Sequence, residues 1–154
     1  MAKTAASKKV AVPSKPERES WITPYLCVKN PEAAIEFYKK AFGFEEVFAA
    51  RKDGKVMHAE IGYRGQKFML GPECGEYEFS KSPTTAKTTT FGMYVYVEDV
   101  DKFVARAAKN GARVMQEPKD QFYGDRTSTV LDPEGHVWTF GTHKFDFDPT
   151  QGSK

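Results

Sequence analysis

One stretch of this chain repeats another. Laying YLCVKNPEAAI, which begins at Tyr25, over YVYVEDVDKFV, which begins at Tyr94, aligns Tyr25 with Tyr94, Val28 with Val97 and Ile35 with Val104 at a constant offset of 69. Gly43 and Gly111 nearly align, at 68. An internal duplication restricts the fold to two copies of one supersecondary unit that bury a shared core. The competing reading is two unrelated α+β stretches with similar patterning. It must then explain why order, caps and stops recur together.

The unit can be read from the first copy. WITPYLCVKN has strand character, with Tyr25 and Cys27 on one face and Leu26 and Val28 on the other. NPEAAIEFYKKAFGF reads as a helix with Asn30 as N-cap, Pro31 in its first position and Gly43 as its stop. Ala34, Ile35, Tyr38, Ala41 and Phe42 form its apolar stripe. Strands are expected at 44–51, 56–63 and 66–71, joined by turns at Asp53-Gly54 and Arg64-Gly65. The second copy gives FGMYVYVEDV as a strand, then a helix capped by Asp99 and carrying Phe103, Val104, Ala107 and Ala108. Strands are expected near 112–117, 125–131 and 136–142, the last entered through Asp132-Pro133-Glu134-Gly135. Each copy is βαβββ. The expected organisation is a basic, solvated tail over 1–20, a single domain over 21–144 and a C-terminal tail over 145–154. Within the domain, repeat one covers 21–72, a linker 73–90 and repeat two 91–144. Phe145 and Phe147 would add an edge strand or pack on a partner.

Charge matters only locally. Residues 1–20 hold Lys3, Lys8, Lys9, Lys15 and Arg18 against Glu17 and Glu19, so the net +2 of the chain leaves −1 for the rest. No basic face remains for phosphate backbones, which argues against nucleic acid as a partner. No apolar run approaches the roughly 18 to 20 residues of a membrane helix, and residues 1–20 lack the apolar core of a secretion signal. Cys27 and Cys74 are the two cysteines, a pattern expected of reduced thiols in the cytoplasm.

Tandem βαβββ units, CVKNPEAAIEFYKKAFGFEEV, VYVEDVDKFVARAAKNGARV and GDRTSTVLDPEGHVWTFGTH together resemble the vicinal oxygen chelate superfamily. That group holds glyoxalases, extradiol dioxygenases and bleomycin-binding proteins, and the likeness covers about residues 21–143. It is strongest to the branch labelled as resembling 3-demethylubiquinone methyltransferase. The resemblance implies an α+β fold in which each repeat curls a mixed sheet around half of a cleft. It also implies four inward positions that hold a metal in the metal-using members. Here those positions carry Thr23, Met69, Gly92 and Thr139, and a shift by one gives Pro24, Phe68, Met93 and Trp138. Neither set offers the nitrogen and carboxylate donors of a divalent site, so no metal and no other cofactor is expected.

Other residues are candidates for chemistry. His58 and Glu60 share one face of a strand and would form an acid–base pair or half a metal site if that face is inward. Met57, Ala59 and Ile61 would then face the helix. Cys27 would line the cleft, without a neighbour in sequence to activate it. His136 is expected to order its hairpin and His143 to lie at the surface. Asp125 and Arg126 would pin the strand entrance, and Trp138 and Phe140 would be core.

The leading expectation is a metal-free small-molecule-binding protein that works as a homodimer. Its ligand would meet Tyr25, Cys27, His58, Glu60, Met69, Tyr94, Tyr96 and Thr139, with Phe122 and Tyr123 near the mouth. Rings, phenol hydroxyls and one carboxylate suit a flat, neutral or weakly cationic molecule. The alternative is a metal-dependent lyase, transferase or dioxygenase anchored on His58 and Glu60. The sequence names no catalytic residue.

Overall fold

The computed structural model describes residues 12–148 and Thr150. The first repeat runs β1 (Tyr25–Val28), α1 (Pro31–Phe37), β2 (Glu45–Lys52), β3 (Lys55–Tyr63) and β4 (Gln66–Pro72). A short helix α2 (Pro83–Ala86) follows. The second repeat comprises β5 (Gly92–Tyr96), α3 (Val100–Lys109), β6 (Arg113–Asp120), β7 (Asp125–Leu131) and β8 (Val137–His143). Two four-stranded mixed sheets result, ordered β1-β4-β3-β2 and β5-β8-β7-β6. The duplication extends to register. β1 pairs parallel with β4, placing Tyr25 opposite Met69, and β5 pairs parallel with β8, placing Tyr94 opposite Thr139.

Both helices start as their sequences dictate. The Asn30 side chain accepts from the Ala33 amide at 3.1 Å, and the Asp99 side chain accepts from the Lys102 amide at 3.0 Å. α1 does not stop at Phe37 but widens into a π-helical turn over Tyr38–Phe42. That turn buries Tyr38, Ala41 and Phe42 completely. Arg106 of α3 satisfies the carbonyls left over at its end, donating from Nε to Ala41 at 3.1 Å and from Nη2 to Phe42 at 2.9 Å.

The core joins the repeats through their helix-bearing faces. Phe42 lies 4.9 Å from Phe140, 5.3 Å from Trp138 and 5.9 Å from Phe103, centroid to centroid. Trp138 also meets Phe68 of the first sheet at 5.3 Å. Trp138 and Phe140 are fully buried, as alternation predicts. The expected helix-facing set of Met57, Ala59 and Ile61 needs one correction. Ala59 and Ile61 are buried, but a register shift opposite Ala50 and Arg51 turns Met57 out to 49% exposure and puts Val56 in the core.

The signature DPEGH turn locks the repeats together. The Asp132 carboxylate is buried and accepts from Tyr38 Oη at 2.7 Å, Trp138 Nε1 at 3.0 Å and the His136 amide at 2.9 Å. His136 Nδ1 lies 3.2 Å from it. Burial pushes the Asp132 carboxyl up, yet the hydrogen bonds from His136, Tyr38 and Trp138 outweigh it and hold the group below the usual range. Glu134 accepts from the Lys29 and Asn30 amides at 2.9 and 3.2 Å, just before α1. The matching turn of repeat one reaches the other way, with Arg64 Nη2 donating to Glu98 at 2.5 Å just before α3. So each repeat's last hairpin holds the start of the other's helix.

The segment between the repeats is tied at both ends. The Ser82 amide donates to Glu73 at 2.8 Å, and the Thr84 amide donates to the Glu134 carbonyl at 3.1 Å. Phe145 and Phe147 form no strand. The Phe145 amide donates to the Gly124 carbonyl at 3.2 Å, and Phe147 packs 5.7 Å from Phe122. Residues 1–11 of the expected tail lie outside the described residues. Residues 12–20 make turns, and the Glu19 side chain reaches the first sheet.

Candidate functional site

The core occupies one face of each sheet, so the opposite faces stay open. On the first sheet that open face carries Tyr25 and Cys27 of β1, His58 and Glu60 of β3, and Met69 of β4. Residues between them, such as Leu26, Ala59 and Leu70, are buried on the core side. On the second sheet it carries Tyr94 and Tyr96 of β5, Asp125, Thr127 and Thr129 of β7, and Thr139 of β8. Ten residues were expected to share one cleft, within the chain or across a dimer, and within one chain they lie in two groups, one on each sheet. Phe122 and Tyr123 sit in the β6–β7 loop of the second group, at 75% and 38% exposure.

Both half-clefts share one backbone device. Tyr25 crosses Gly71 on the neighbouring strand and Tyr94 crosses Gly141, each ring lying where a Cβ would otherwise project. An added Cβ on Gly141 would stand 2.6 Å from the Tyr94 hydroxyl, and one on Gly71 would overlap the Tyr25 hydroxyl. Only glycine lets a phenol lie flat across the sheet there.

Polar groups then diverge. In the second half-cleft Asp125, 5% exposed, accepts from Tyr94 Oη at 2.7 Å and Tyr96 Oη at 2.9 Å. His143 Nδ1 lies 2.9 Å from its other oxygen, and Nε2 lies 2.9 Å from Asp146. Burial pushes the Asp125 carboxyl up, but the bonds from Tyr94, His143 and Tyr96 hold it below the ordinary value. The Asp125 hydrogen bond, then that of Asp146, raise the His143 pKa above 6.5. Tyr94 is raised well above 10.0, by burial first and its bond to Asp125 second. For Tyr96 the bond to Asp125 leads. Both phenols therefore stay protonated, with their hydrogens committed to Asp125. What this leaves unengaged on the open face is their ring faces and oxygen lone pairs.

The first half-cleft is organised around a residue that pattern reading passed over. Lys67 Nζ donates to Glu60 Oε2 and to Glu19 Oε1, each at 2.6 Å, and these bonds raise its pKa. His58 does not partner Glu60 but lies among rings, 5.8 Å from Tyr25 and 6.4 Å from Phe48. Cys27 Sγ sits 3.6 Å from Ser80 Oγ. A cavity of ≈ 490 Å³ opens here, lined by Glu19, Val47, Phe48, Glu60, Gln66 and Lys67 among others. Alternation puts Glu60 on one face of β3 and Lys67 with Met69 on one face of β4, but only the pairing of β4 with β3 brings Lys67 to Glu60. Asp125, read from sequence as a strand-entrance pin, is instead the hub of the second group. Its neighbour Arg126 does pin that entrance, through Asp101 at 2.7 Å and Asp120 at 3.1 Å.

Superfamily metal positions do not fit a metal here. Thr139 Oγ1 lies 3.2 Å from Thr129 Oγ1, Met69 offers a thioether and Gly92 offers no side chain. Among the described residues, His, Cys, Asp and Glu do not gather in groups of three that would hold a metal ion.

Paired βαβββ sheets with an open inner face on each define a class of chelate-type and binding folds. The sequence model of the Glyoxalase/Bleomycin resistance protein/Dioxygenase superfamily matches residues 20–140, and the chain belongs to that superfamily. Uncharacterized proteins of Mycobacterium bovis and Mycobacterium tuberculosis are 36% identical over 126 residues, which is 80% of this chain and 83% and 74% of theirs. Among solved structures, TioX from Micromonospora sp. ML1 matches with a TM-score of 0.63 and 26% identity, over 81% of this chain and 99% of its own. A glyoxalase/bleomycin resistance protein/dioxygenase family enzyme from Burkholderia phytofirmans shares the fold at a TM-score of 0.62 and 22% identity, over 77% and 94% of the two chains. A PhnB protein from Bacillus cereus does so at 0.60 and 21%, over 80% and 99%.

Proposed function

We propose that this protein binds a flat, aromatic small molecule without a resident metal, in a cleft built between two copies of the chain. The observation that carries this reading is the pair of open aromatic half-clefts. Tyr25, Phe48, Tyr94 and Tyr96 are 53%, 52%, 45% and 57% exposed on faces turned away from the core. Exposed rings grouped this way mark binding surfaces. β1, β2, β5 and β6 also end their sheets with unpaired edges, which proteins cover or pair. Two-fold association would set the first half-cleft of one copy against the second half-cleft of the other, in an isologous arrangement. Metal independence rests on the donor chemistry of Thr23, Met69, Gly92 and Thr139. The free thiols Cys27 and Cys74 support a reducing compartment, the cytoplasm.

The alternative enzyme reading needs Glu60 free to act with His58. Lys67 engages Glu60 and rings flank His58, which favours binding over turnover. Light scattering should give twice the chain mass of 17.3 kDa, and native mass spectrometry should show a small molecule carried per cleft. A concentration-independent monomer, or a bound metal equivalent that disappears on His58→Ala or Glu60→Ala, would reject this function.

A further inference from the structure

The chain supplies its own occupant for the first half-cleft. Lys67 and Glu60 are neighbours within the sheet, but Glu19 arrives from 48 residues away, in the segment that leads into β1. It also lies just outside the region matched by the superfamily, residues 20–140. This strap folds on itself more than on the sheet. Lys15 Nζ donates to the carbonyls of Pro16, Glu17 and Glu19, and stands 5.5 Å from the Trp21 ring. Trp21 is 80% exposed. Side-chain attachment of the strap to the inner face runs through the Glu19 carboxylate.

That carboxylate is only half satisfied. Oε1 accepts from Lys67, while Oε2 is buried with no hydrogen-bond partner among the described residues. A buried acceptor without a donor is costly, so Glu19 holds Lys67 through one oxygen while the other goes unpaired among the described residues. Lys67 meanwhile holds two carboxylates, Glu60 fixed by the sheet and Glu19 exchangeable. Beside the exchangeable one lies a cavity of ≈ 490 Å³ that Arg18, Glu19 and Ser20 of the strap line together with Phe48, Glu60 and Lys67, within the usual size range of small-molecule sites; Phe48 leads on to the His58 and Tyr25 rings.

We propose that Lys67 recognises a carboxylate on the ligand, that the ligand is an aromatic carboxylic acid, and that Glu19 is a tethered stand-in which leaves when it binds. This rests on the cleft-binding function proposed above and specifies its ligand class. Sequence pattern alone offered Glu60 as a lone carboxylate and so pointed to a neutral or weakly cationic ligand. With Lys67 neutralising Glu60, the vacated Glu19 position favours an anion instead.

The test compares 2-naphthoate with its neutral isostere 2-naphthamide by calorimetry on the full-length protein. Glu19→Gln keeps the shape of the strap and removes its charge. It should tighten naphthoate binding by about tenfold, the factor by which a tethered competitor lowers apparent affinity, and leave naphthamide unchanged. Lys67→Met should weaken naphthoate by about tenfold or more, the loss of one charge-assisted contact, and spare naphthamide. Because the strap carries Arg18, naphthoate but not naphthamide should speed tryptic cleavage after Arg18 in the wild type. In Glu19→Gln, cleavage should be fast without either compound. Naphthamide binding with a naphthoate affinity indifferent to both variants overturns this inference and leaves the cleft standing. Failure of both compounds to bind any of the three proteins overturns the cleft reading and this inference together.

Discussion

Tyr25 over Gly71 and Tyr94 over Gly141 are the same construction made twice, yet the groups around them share almost no chemistry. In the second half-cleft the phenol is fastened, because its hydroxyl donates to a buried Asp125 that Tyr96 and His143 also serve. In the first, no hydrogen bond among the described residues holds the Tyr25 hydroxyl, and the charges gather instead on Lys67, Glu60 and Glu19. Duplication therefore preserved what the backbone needs, a glycine under a ring and an apolar alternate face. The inward positions were free to diverge because solvent or a ligand, not the core, lies opposite them. One half-cleft is a fixed polar wall and the other an adjustable charged one.

The largest expected effect lies where the symmetry fails at the core. Asp132 of the second repeat holds Tyr38 of the first, and the corresponding hairpin of repeat one uses the exposed pair Arg64–Glu98 instead. Asp132→Ala strands the buried donors of Tyr38, Trp138 and His136 and should cost about 3 kcal/mol or more in urea unfolding. Arg64→Ala should stay within about 0.5 kcal/mol, as exposed pairs do. Similar losses from both would erase the asymmetry.

An intermediate effect should separate the two glycines. Gly141→Ala must move a phenol tied to Asp125, with an added Cβ 2.6 Å from its hydroxyl and 3.0 Å from Cζ. It should cost about 1–3 kcal/mol, the usual range for overpacking. Gly71→Ala pushes against the far end of an unfastened Tyr25 and should cost less, within about 1 kcal/mol. Thermal melts of the two variants check the order, and a reversed order would mean that Tyr94 is the mobile ring.

The smallest effect is a pH dependence confined to the second half-cleft. Asp125 and Asp146 raise the His143 pKa in the folded protein above its unfolded value of 6.5. Stability from this group is therefore fully present below pH 6.5 and is lost as pH rises through the folded-state pKa. Unfolding midpoints should fall as pH rises above about 6.5 and passes through the folded-state pKa, and His143→Asn should flatten that part of the profile. A slope unchanged in the variant would place the titration elsewhere.

Much of the scaffold was legible before folding, for local reasons. Asn30-Pro31 and Asp99 announce helix starts because capping is a contact across three residues. Alternation located Leu26, Trp138 and Phe140 in the core because strand periodicity is a property of adjacent residues. Met57 escaped it because a bulge breaks that periodicity, and the π-turn of Tyr38–Phe42 escaped because an apolar stripe looks alike in either helix. Of the candidate site, the tyrosines, His58 and Glu60 fell on the open faces as alternation implied. Lys67, Glu19 and the hub role of Asp125 were hidden, since their partners lie 7 to 48 residues away and meet only through strand pairing or chain return.

From its sequence alone this protein is a duplicated βαβββ chain with caps, turns and an apolar alternate face, and with a donor set unfit for a metal at the superfamily positions. Those properties follow from neighbours along the chain and from the chemistry of single side chains. Tertiary structure decided which faces meet. It joined the repeats through Phe42, Trp138 and Asp132, left both tyrosine faces open, and brought Glu19 back onto Lys67. Such choices are made by contacts between residues far apart in sequence, where burial and charge pairing act and local pattern has no reach.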